Sequence, residues 1–233
     1  MKIVLTNDDG IDAPGLQALA ECLQGLGRII IVAPAEPQSG VAHKVTTRSP
    51  IRVNRIQPKR FSVEGTPADC VRIALKKIAS DADWLIAGIN PGANLGSDVY
   101  QSGTVAAARE AAVLRCRAIA ISQYVARGHE VQWNVTRYHA EPLLKMLLRQ
   151  PPPPGYFWNA NLPHPLDDKS EVEYAFCNLD TNPHEYNYRI EENNYIYEGA
   201  IHERPRNPGD DVDVCFGGKI AITRIALATQ NLD

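Results

Sequence analysis

The sequence has 233 residues, a length that accommodates one large α/β domain or a core with a smaller appendage. Hydrophobic residues make up 44% of the chain and charged residues 22%, so the chain can bury a core. Its 24 basic and 27 acidic residues give a formal charge of −3 without a block of like charge. This balance excludes a general attraction to nucleic-acid polymers or to anionic membranes.

The lack of recognisable targeting signals and the spacing of the cysteines indicate a cytoplasmic protein. No apolar run approaches the ~18 residues of a membrane span. The N-terminus enters a strand-like segment, residues 2–6, without a signal-peptide pattern. The five cysteines lie far apart and form no C-x-x-C pair, which fits neither a zinc site nor a disulfide framework. We therefore predict a cytoplasmic protein with reduced thiols and no membrane segment.

From residue 2 to about 122, short β-branched runs alternate with helical periodicity, which predicts an α/β fold with a mostly parallel sheet. The first strand ends at residues 7–10. Asp12 and Pro14 are predicted to open the next helix, and Gly25 and Gly27 to close it. Residues 28–33 then form a nearly continuous apolar strand, which is typical of a strand covered by helices on both faces.

A polar loop containing Ser39 follows, and then a strand-rich stretch as far as residue 63. Thr66 is predicted to cap a second helix, because a proline and an acidic residue stand in the first turn after it. Residues 84–89 form a buried strand that ends at Asn90. An alanine-rich helix follows Ser102, and residues 117–122 are the next predicted strand.

A helix over residues 133–149 is stopped by four consecutive prolines, residues 151–154, which mark a boundary. We therefore predict a catalytic core over residues 1–150 and a strand-rich C-terminal segment over residues 151–233. Period-2 runs at 171–176 and 219–225 indicate hairpins with little helix. The segment is too poor in apolar residues to look self-sufficient, so we expect it to pack on the core or on a partner subunit.

Polar residues follow several of the predicted strands. Asp8 and Asp9 come after the first strand, Ser39 shortly after the second, and Asn90 after the strand at 84–89. Because ligands bind beyond the carboxyl ends of parallel strands, these side chains are expected to share one crevice. Adjacent carboxylates need a cation or hydrogen-bond donors to compensate them. A divalent metal is the simplest compensation, and hard oxygen donors favour Mg²⁺ or Mn²⁺. The alternative is that residues 7–10 form only a polar turn that caps the next helix.

Residues 102–104 stand at the start of the alanine-rich helix, where free amide groups and the helix dipole favour a phosphate group. Gly103 would let the backbone approach that anion closely. The alternative is an ordinary helix cap, and for Asn90 it is a type II turn over the Pro-Gly pair that follows. His43 is the one histidine that could approach the crevice, since it lies four residues beyond Ser39.

Several blocks of this sequence, in order, resemble the SurE (survival protein E) family of metal-dependent 5′-nucleotidases. The blocks are residues 7–10, 13–15, 39–40, 65–71, 88–108, 211–213 and 218–223, and the resemblance runs through nearly the whole chain. It implies a Rossmann-like core and a C-terminal portion used in dimerisation and in exchange of elements between subunits. It also implies metal ligands at Asp8, Asp9, Ser39 and Asn90, and phosphate-side residues at Asn94, Ser102, Gly103 and Thr104.

Together these observations predict a phosphomonoesterase that hydrolyses nucleoside 5′-monophosphates with one divalent ion, Mg²⁺ or Mn²⁺. Asp8 or Asp9 would be the catalytic carboxylate, and the protein would be a homodimer or homotetramer. Activity on 3′-nucleotides and on short polyphosphate stays open. One alternative is a receiver-like magnesium-binding signalling domain, but Asn90 stands where a phosphoacceptor aspartate would be needed. The other is a non-catalytic nucleotide-binding α/β protein, although no G-x-G-x-x-G turn follows the first strand.

Overall fold

The computed structural model describes residues 1–164, 166–167, 171–199 and 204–227. The core part of the chain contains the strands β1 (Lys2–Thr6), β2 (Arg28–Pro34), β3 (Val53–Gln57), β4 (Arg60–Val63), β5 (Trp84–Pro91) and β6 (Arg117–Gln123) and the helices α1 (Pro14–Cys22), α2 (Pro67–Ile73), α3 (Gly103–Val113) and α4 (Trp133–Arg149). A π-helical turn, Ala74–Ile78, extends α2, and a 3₁₀ turn, Gly96–Tyr100, precedes α3.

After the four prolines come β7 (Tyr156–Leu162), β8 (Tyr174–Cys177), β9 (Tyr188–Glu191), β10 (Asn194–Tyr197), α5 (Asp211–Phe216) and β11 (Ile220–Ala226). β9 and β10 pair with each other in a separate two-stranded sheet, which we call the arm hairpin. The predicted strands at 171–176 and 219–225 correspond to β8 and β11, and α5 is a short helix that the sequence pattern does not single out. The predicted segment 151–233 includes residues 165, 168–170, 200–203 and 228–233, which lie outside the described residues.

One nine-stranded sheet, in the order β3-β4-β2-β1-β5-β6-β7-β11-β8, spans both parts of the chain. Six neighbouring strands of this sheet run parallel to one another: β4, β2, β1, β5, β6 and β7. β3 is antiparallel to its neighbour β4, and β11 is antiparallel to its neighbour β7. The predicted α/β class with a mostly parallel sheet and a C-terminal hairpin is therefore confirmed. Since β7, β11 and β8 continue the core sheet, the division of the chain at residue 150 stays a prediction.

Helices cover both faces of this sheet. Successive residues of a strand point to opposite faces, so each strand contributes to two apolar clusters. Ile3 and Leu5 of β1 belong to the apolar cluster that α1 and α4 cover. Val4, between them, belongs to the cluster that α2 and α3 cover. All three side chains are fully buried. Among the described residues, no helix combines the length and the apolar character that crossing a bilayer requires.

The helix boundaries follow local chemistry, with one correction at α1. Thr66 caps α2 as predicted: its hydroxyl accepts from the Asp69 amide, and the Asp69 carboxylate accepts from the Thr66 amide in return. The N-cap of α1 is Ala13 and not Asp12, and the helix ends at Cys22, before either of the predicted glycines. Asp12 instead pairs with Arg60 on the surface.

Candidate active site at the carboxyl edge of the sheet

The predicted crevice lies where β1 and β5 end side by side. Thr6 of β1 is in register with Ala87 of β5 in this parallel pair. Asp8 and Asp9 therefore stand two and three residues beyond the last paired position of β1, and Asn90 stands three residues beyond that of β5. Neighbouring parallel strands are about 4.8 Å apart, so the sheet itself brings these side chains to one edge.

Asp8 points at the start of α3. Its carboxylate accepts a short hydrogen bond from the Thr104 hydroxyl and further bonds from the backbone amides of Gly103 and Thr104. The side chain is nearly buried, at 5% exposure. Burial raises the pKa of Asp8, and the bonds from Thr104 and Gly103 partly offset that rise. The sequence assigns the amide groups of Gly103 and Thr104 to a phosphate, but in the structure they face the carboxylate of Asp8, which is itself a predicted metal ligand.

Gly103 leaves no room for a side chain at this contact. A Cβ atom built on Gly103 would lie 2.8 Å from Asp8 Cβ and 2.9 Å from Asp8 Oδ2. Contacts this short would force the carboxylate to move. The glycine is therefore required by the close approach of α3 to Asp8, in addition to any approach of an anion.

Ser102 is the N-cap of α3, which is the alternative that the sequence leaves open for this position. Its hydroxyl oxygen accepts from the Val105 amide at 3.0 Å, and its own amide donates to the Asp98 carbonyl at 3.0 Å. The capping bond uses the hydroxyl as an acceptor, so the hydroxyl proton is left to donate to a ligand beside the helix start.

Asp9 carries the clearest sign of a missing partner. Its Oδ2 atom is buried and has no hydrogen-bond partner among the residues that the structure describes. Burial, with a further contribution from the charge of Asp8, raises the pKa of Asp9 to about 6. A buried carboxylate oxygen without a donor is costly unless a proton or a cation meets it.

Ser39 lies in the exposed loop after β2, next to a residue that is tied to the site. The amide of Gln38 donates to the Asp8 carbonyl at 2.6 Å. Asn90 is half-buried, and its Nδ2 group donates to the Gly92 carbonyl at 2.7 Å. That bond uses the donor side of the Asn90 amide and leaves its Oδ1 oxygen to act as a ligand.

Asn94 is held in a buried hydrogen-bond network on the sheet. Its Nδ2 group donates to the Ser122 hydroxyl at 2.7 Å, and its backbone amide donates to Asn161 Oδ1 at 2.8 Å. Its carbonyl accepts from the side-chain amides of Asn159 and Asn161. No described hydrogen bond joins Asn94 to Asp8, Asp9 or residues 102–104, so its phosphate role stays a prediction.

The structure adds a polar cluster that sequence reasoning missed. The Asp98 carboxylate pairs with His184 Nε2 at 2.7 Å and with Arg204 Nη1 at 2.8 Å. The Arg204 side chain is only 5% exposed. Asp98 lies 106 positions before Arg204, and no local pattern predicts such a contact. The cluster ties the loop between β5 and α3, which carries Asn94 and leads to Ser102, to the chain on either side of the arm hairpin.

His43 does reach a carboxylate, but not Asp8 or Asp9. Its Nε2 atom lies 2.8 Å from Glu110 Oε2, on α3. The described residues contain no group of three or more His, Cys, Asp and Glu side chains that could hold a metal. The predicted ligand set has only two such side chains, and a serine and an asparagine complete it.

This arrangement combines two carboxylates, unused oxygen donors and a helix N-terminus at the carboxyl edge of a parallel sheet. Open α/β sheets bind their ligands beyond this edge. The fold and the site therefore define an α/β protein with a candidate ligand site at the carboxyl edge of its sheet.

Comparisons with known proteins agree with this class. The family model described as survival protein SurE matches residues 3–185. A relative from Nostoc sp., provisionally named a 5′-nucleotidase, is 47% identical over 97% of this chain and 99% of its own. The 5′-nucleotidase SurE of Mesorhizobium japonicum is 44% identical over 72% of this chain and 69% of its own. This chain belongs to the SurE family, which confirms the resemblance seen in its sequence.

A solved structure extends the likeness to the fold. The crystal structure of the SurE protein from Aquifex aeolicus matches with a TM-score of 0.88 and 29% sequence identity, over 99% of this chain and 95% of that one. The match to the family model ends before the arm hairpin, whereas the structural match continues through it.

Proposed function

We propose that this SurE-family protein is a metal-dependent 5′-nucleotidase that hydrolyses nucleoside 5′-monophosphates to nucleoside and phosphate. The observation that carries the proposal is the Oδ2 atom of Asp9, which lies beside Asp8 at the carboxyl edge of the sheet, is buried, and has no partner in the described part of the chain. The names of the relatives support it, since several are 5′-nucleotidases. The same names disfavour the receiver-like and non-catalytic alternatives.

The residues present fit one divalent ion. Asp8, Asp9, Ser39 and Asn90 offer carboxylate, hydroxyl and amide oxygens, the donors that Mg²⁺ and Mn²⁺ prefer. When bound, the ion supplies positive charge that offsets the charge developing on the phosphoryl oxygens. We propose Asp8 and Asp9 as its anionic ligands and Ser39 and Asn90 as its neutral ones.

The chain's own groups would orient and polarise the reactants. Asp9 is the better placed carboxylate to accept a proton from the attacking water, because its Oδ2 atom has no hydrogen-bond donor among the described residues. Asp8 is the weaker candidate for the base because three donors from Gly103 and Thr104 already hold its carboxylate. The Ser102 hydroxyl, whose proton the capping bond does not use, would hold the phosphate next to the carboxylates, and Asn94 would hold the loop that brings Ser102 there.

The arm hairpin is the surface through which we propose that the subunits associate. Its large side chains are exposed: Tyr188 by 53%, Ile190 by 60%, Tyr195 by 69% and Tyr197 by 51%. A two-stranded hairpin is at best marginally stable alone, and an exposed apolar patch of this kind is typical of an interface. We propose a homodimer or homotetramer in the cytoplasm that uses this hairpin.

The test is phosphate release from AMP, with 3′-AMP and tripolyphosphate as further substrates. EDTA should abolish turnover, and Mg²⁺ or Mn²⁺ should restore it. Asp9→Asn should lower turnover of AMP at least about 100-fold. Asp12→Asn is the matched control, because it removes one negative charge from an 87% exposed carboxylate three residues away. Equal turnover by the two variants, or full activity in EDTA, would overturn the proposal.

A further inference from the structure

The loop between β2 and β3, residues 35–52, carries Ser39 on an exposed stretch of chain. Before Ser39, the loop is fixed by the bond from the Gln38 amide to the Asp8 carbonyl, at 2.6 Å. After Ser39, the next tie to the core is the bond from the Ala42 amide to the Gln101 carbonyl, at 3.1 Å. The position of Ser39 therefore depends on both ties.

The second tie holds the backbone in an unfavourable conformation. Ala42 has a φ of 50°, in the left-handed region that non-glycine residues seldom adopt. A residue stays in this region only when its surroundings hold it there. The next residue is His43, whose imidazole reaches across to α3 and contacts Glu110, 2.8 Å away.

Glu110 is a buried residue that is held in place from two sides. It is 2% exposed, and each of its carboxylate oxygens has a partner of its own. Oε2 meets His43 Nε2 of the loop, and Oε1 accepts from Arg72 Nε of α2 at 2.6 Å. Burial opposes ionisation, yet the bonds from His43 and Arg72 bring the pKa of Glu110 below its usual range. A carboxylate only accepts, so His43 Nε2 is the donor.

The same helix thus fixes both sides of the candidate metal site. Gly103 and Thr104 at its start hold Asp8, and Glu110, seven residues and about two turns later, holds the loop of Ser39. We propose that His43 is a positioning residue that, through Glu110, keeps the Ser39 hydroxyl directed at the metal site. This inference rests on the proposed function, since it takes Ser39 to be a ligand of the metal.

The experiment measures Mn²⁺ binding to the metal-free protein by isothermal titration calorimetry, without substrate. Removing a group that orients a ligand typically weakens metal binding by about 10-fold or more, so His43→Ala should raise the Kd for Mn²⁺ by about that factor. Ser39→Ala should weaken binding at least as much. In the Ser39→Ala background, His43→Ala should add no further loss, because its effect passes through Ser39.

A further variant separates positioning from general damage. His43→Gln keeps a donor on a side chain of similar reach and should recover part of the affinity. A cooperative thermal unfolding transition shows that each variant is folded. If His43→Ala does not fold, His43→Gln takes its place in the comparison.

The outcomes distinguish the two proposals. If Asp9→Asn binds Mn²⁺ as tightly as the wild type, the metal site of the proposed function is wrong, and the role of His43 falls with it. If Asp9→Asn loses binding while His43→Ala matches the wild type, the metal site stands and His43 has no positioning role. The same conclusion on His43 follows if His43→Ala weakens binding equally with and without Ser39.

Discussion

The start of α3 and the arm hairpin lie at opposite extremes of burial in this molecule. At the start of α3, backbone amides and a buried hydroxyl hold Asp8, and Thr104 is fully buried. In the arm hairpin, the contacts are exposed, such as the ring pair of Tyr188 and Tyr197 with centroids 5.5 Å apart. The first region is therefore held by buried donors, whereas most side chains of the second are exposed to solvent. We expect substitutions at the start of α3 to lower the rate of hydrolysis and substitutions in the arm hairpin to weaken subunit association.

The strongest effect is expected from Asp8→Asn. The amide keeps the shape of the carboxylate but loses its charge, so turnover of AMP with Mn²⁺ should fall about 100-fold or more. Stability should hold or rise, since the variant relieves the repulsion between Asp8 and Asp9. Phosphate release and thermal unfolding on the same preparation check both statements. A variant that unfolds would favour the reading of residues 7–10 as a structural turn.

Gly103→Ala should come next, with a loss of about 10- to 100-fold in turnover. The new Cβ would collide with the Asp8 side chain, at 2.8 Å in the present geometry. The collision should weaken Mn²⁺ binding as well as substrate use, whereas a glycine needed only for the approach of phosphate would leave the metal affinity unchanged. Titration of Mn²⁺ into the metal-free variant separates the two.

Ser102→Ala is the comparison for Gly103→Ala. It removes the cap of α3 and should lower the free energy of unfolding by about 1 kcal/mol. It leaves the contact between Gly103 and Asp8 in place, so Mn²⁺ affinity should be retained while the KM for AMP rises. An unchanged KM would show that the phosphate lies elsewhere.

Arg204→Met tests whether the two regions are independent. Arg204 and Asp98 form a largely buried ion pair, and removing one partner of such a pair commonly costs about 3 kcal/mol of stability. Because the Asp98 carbonyl accepts from the Ser102 amide, the KM for AMP should also rise several-fold. Arg204→Lys, which keeps the charge, should recover most of the stability. A stability loss with an unchanged KM would mean that the Arg204 contact does not reach the active site.

The smallest effect on chemistry is expected from the arm hairpin. Replacing Tyr195 and Tyr197 by serine removes two large exposed side chains, at 69% and 51% exposure. Light scattering should then report a smaller assembly than the wild type, with activity per subunit within about 2-fold. An assembly of unchanged size would move the interface away from the hairpin. A monomeric wild type of 25.7 kDa would overturn the proposed oligomer itself.

The parts of the fold that could be predicted from sequence rest on local chemistry. The cap of α2 at Thr66, the cap of α3 at Ser102 and the extent of α4 all follow from nearby residues, and all are confirmed. The α1 cap is the exception: Asp12 has the right residue type, but it turns outward to Arg60. A distant partner therefore overrode the local preference.

The site was less predictable because its decisive contacts join distant positions. The Thr104 hydroxyl bonds to Asp8, 96 positions earlier, so the amides at the start of α3 face a carboxylate. Sequence placed Ser102 and Thr104 on a helix start but could not show what stood opposite them. The same holds for Asp98, whose partners His184 and Arg204 come from beyond β8.

The contact between α3 and Asp8 also bears on the order in which the protein is assembled. Because Gly103 and Thr104 give one of the two neighbouring carboxylates a protein partner, the chain can complete its fold before any ion arrives. Metal-dependent small domains behave in the opposite way, since their binding energy is their folding energy. Here the proposed ion would meet a carboxylate that the fold already holds in place. On the proposed function, a cell short of the ion would therefore keep a folded protein, and its activity would return together with the ion.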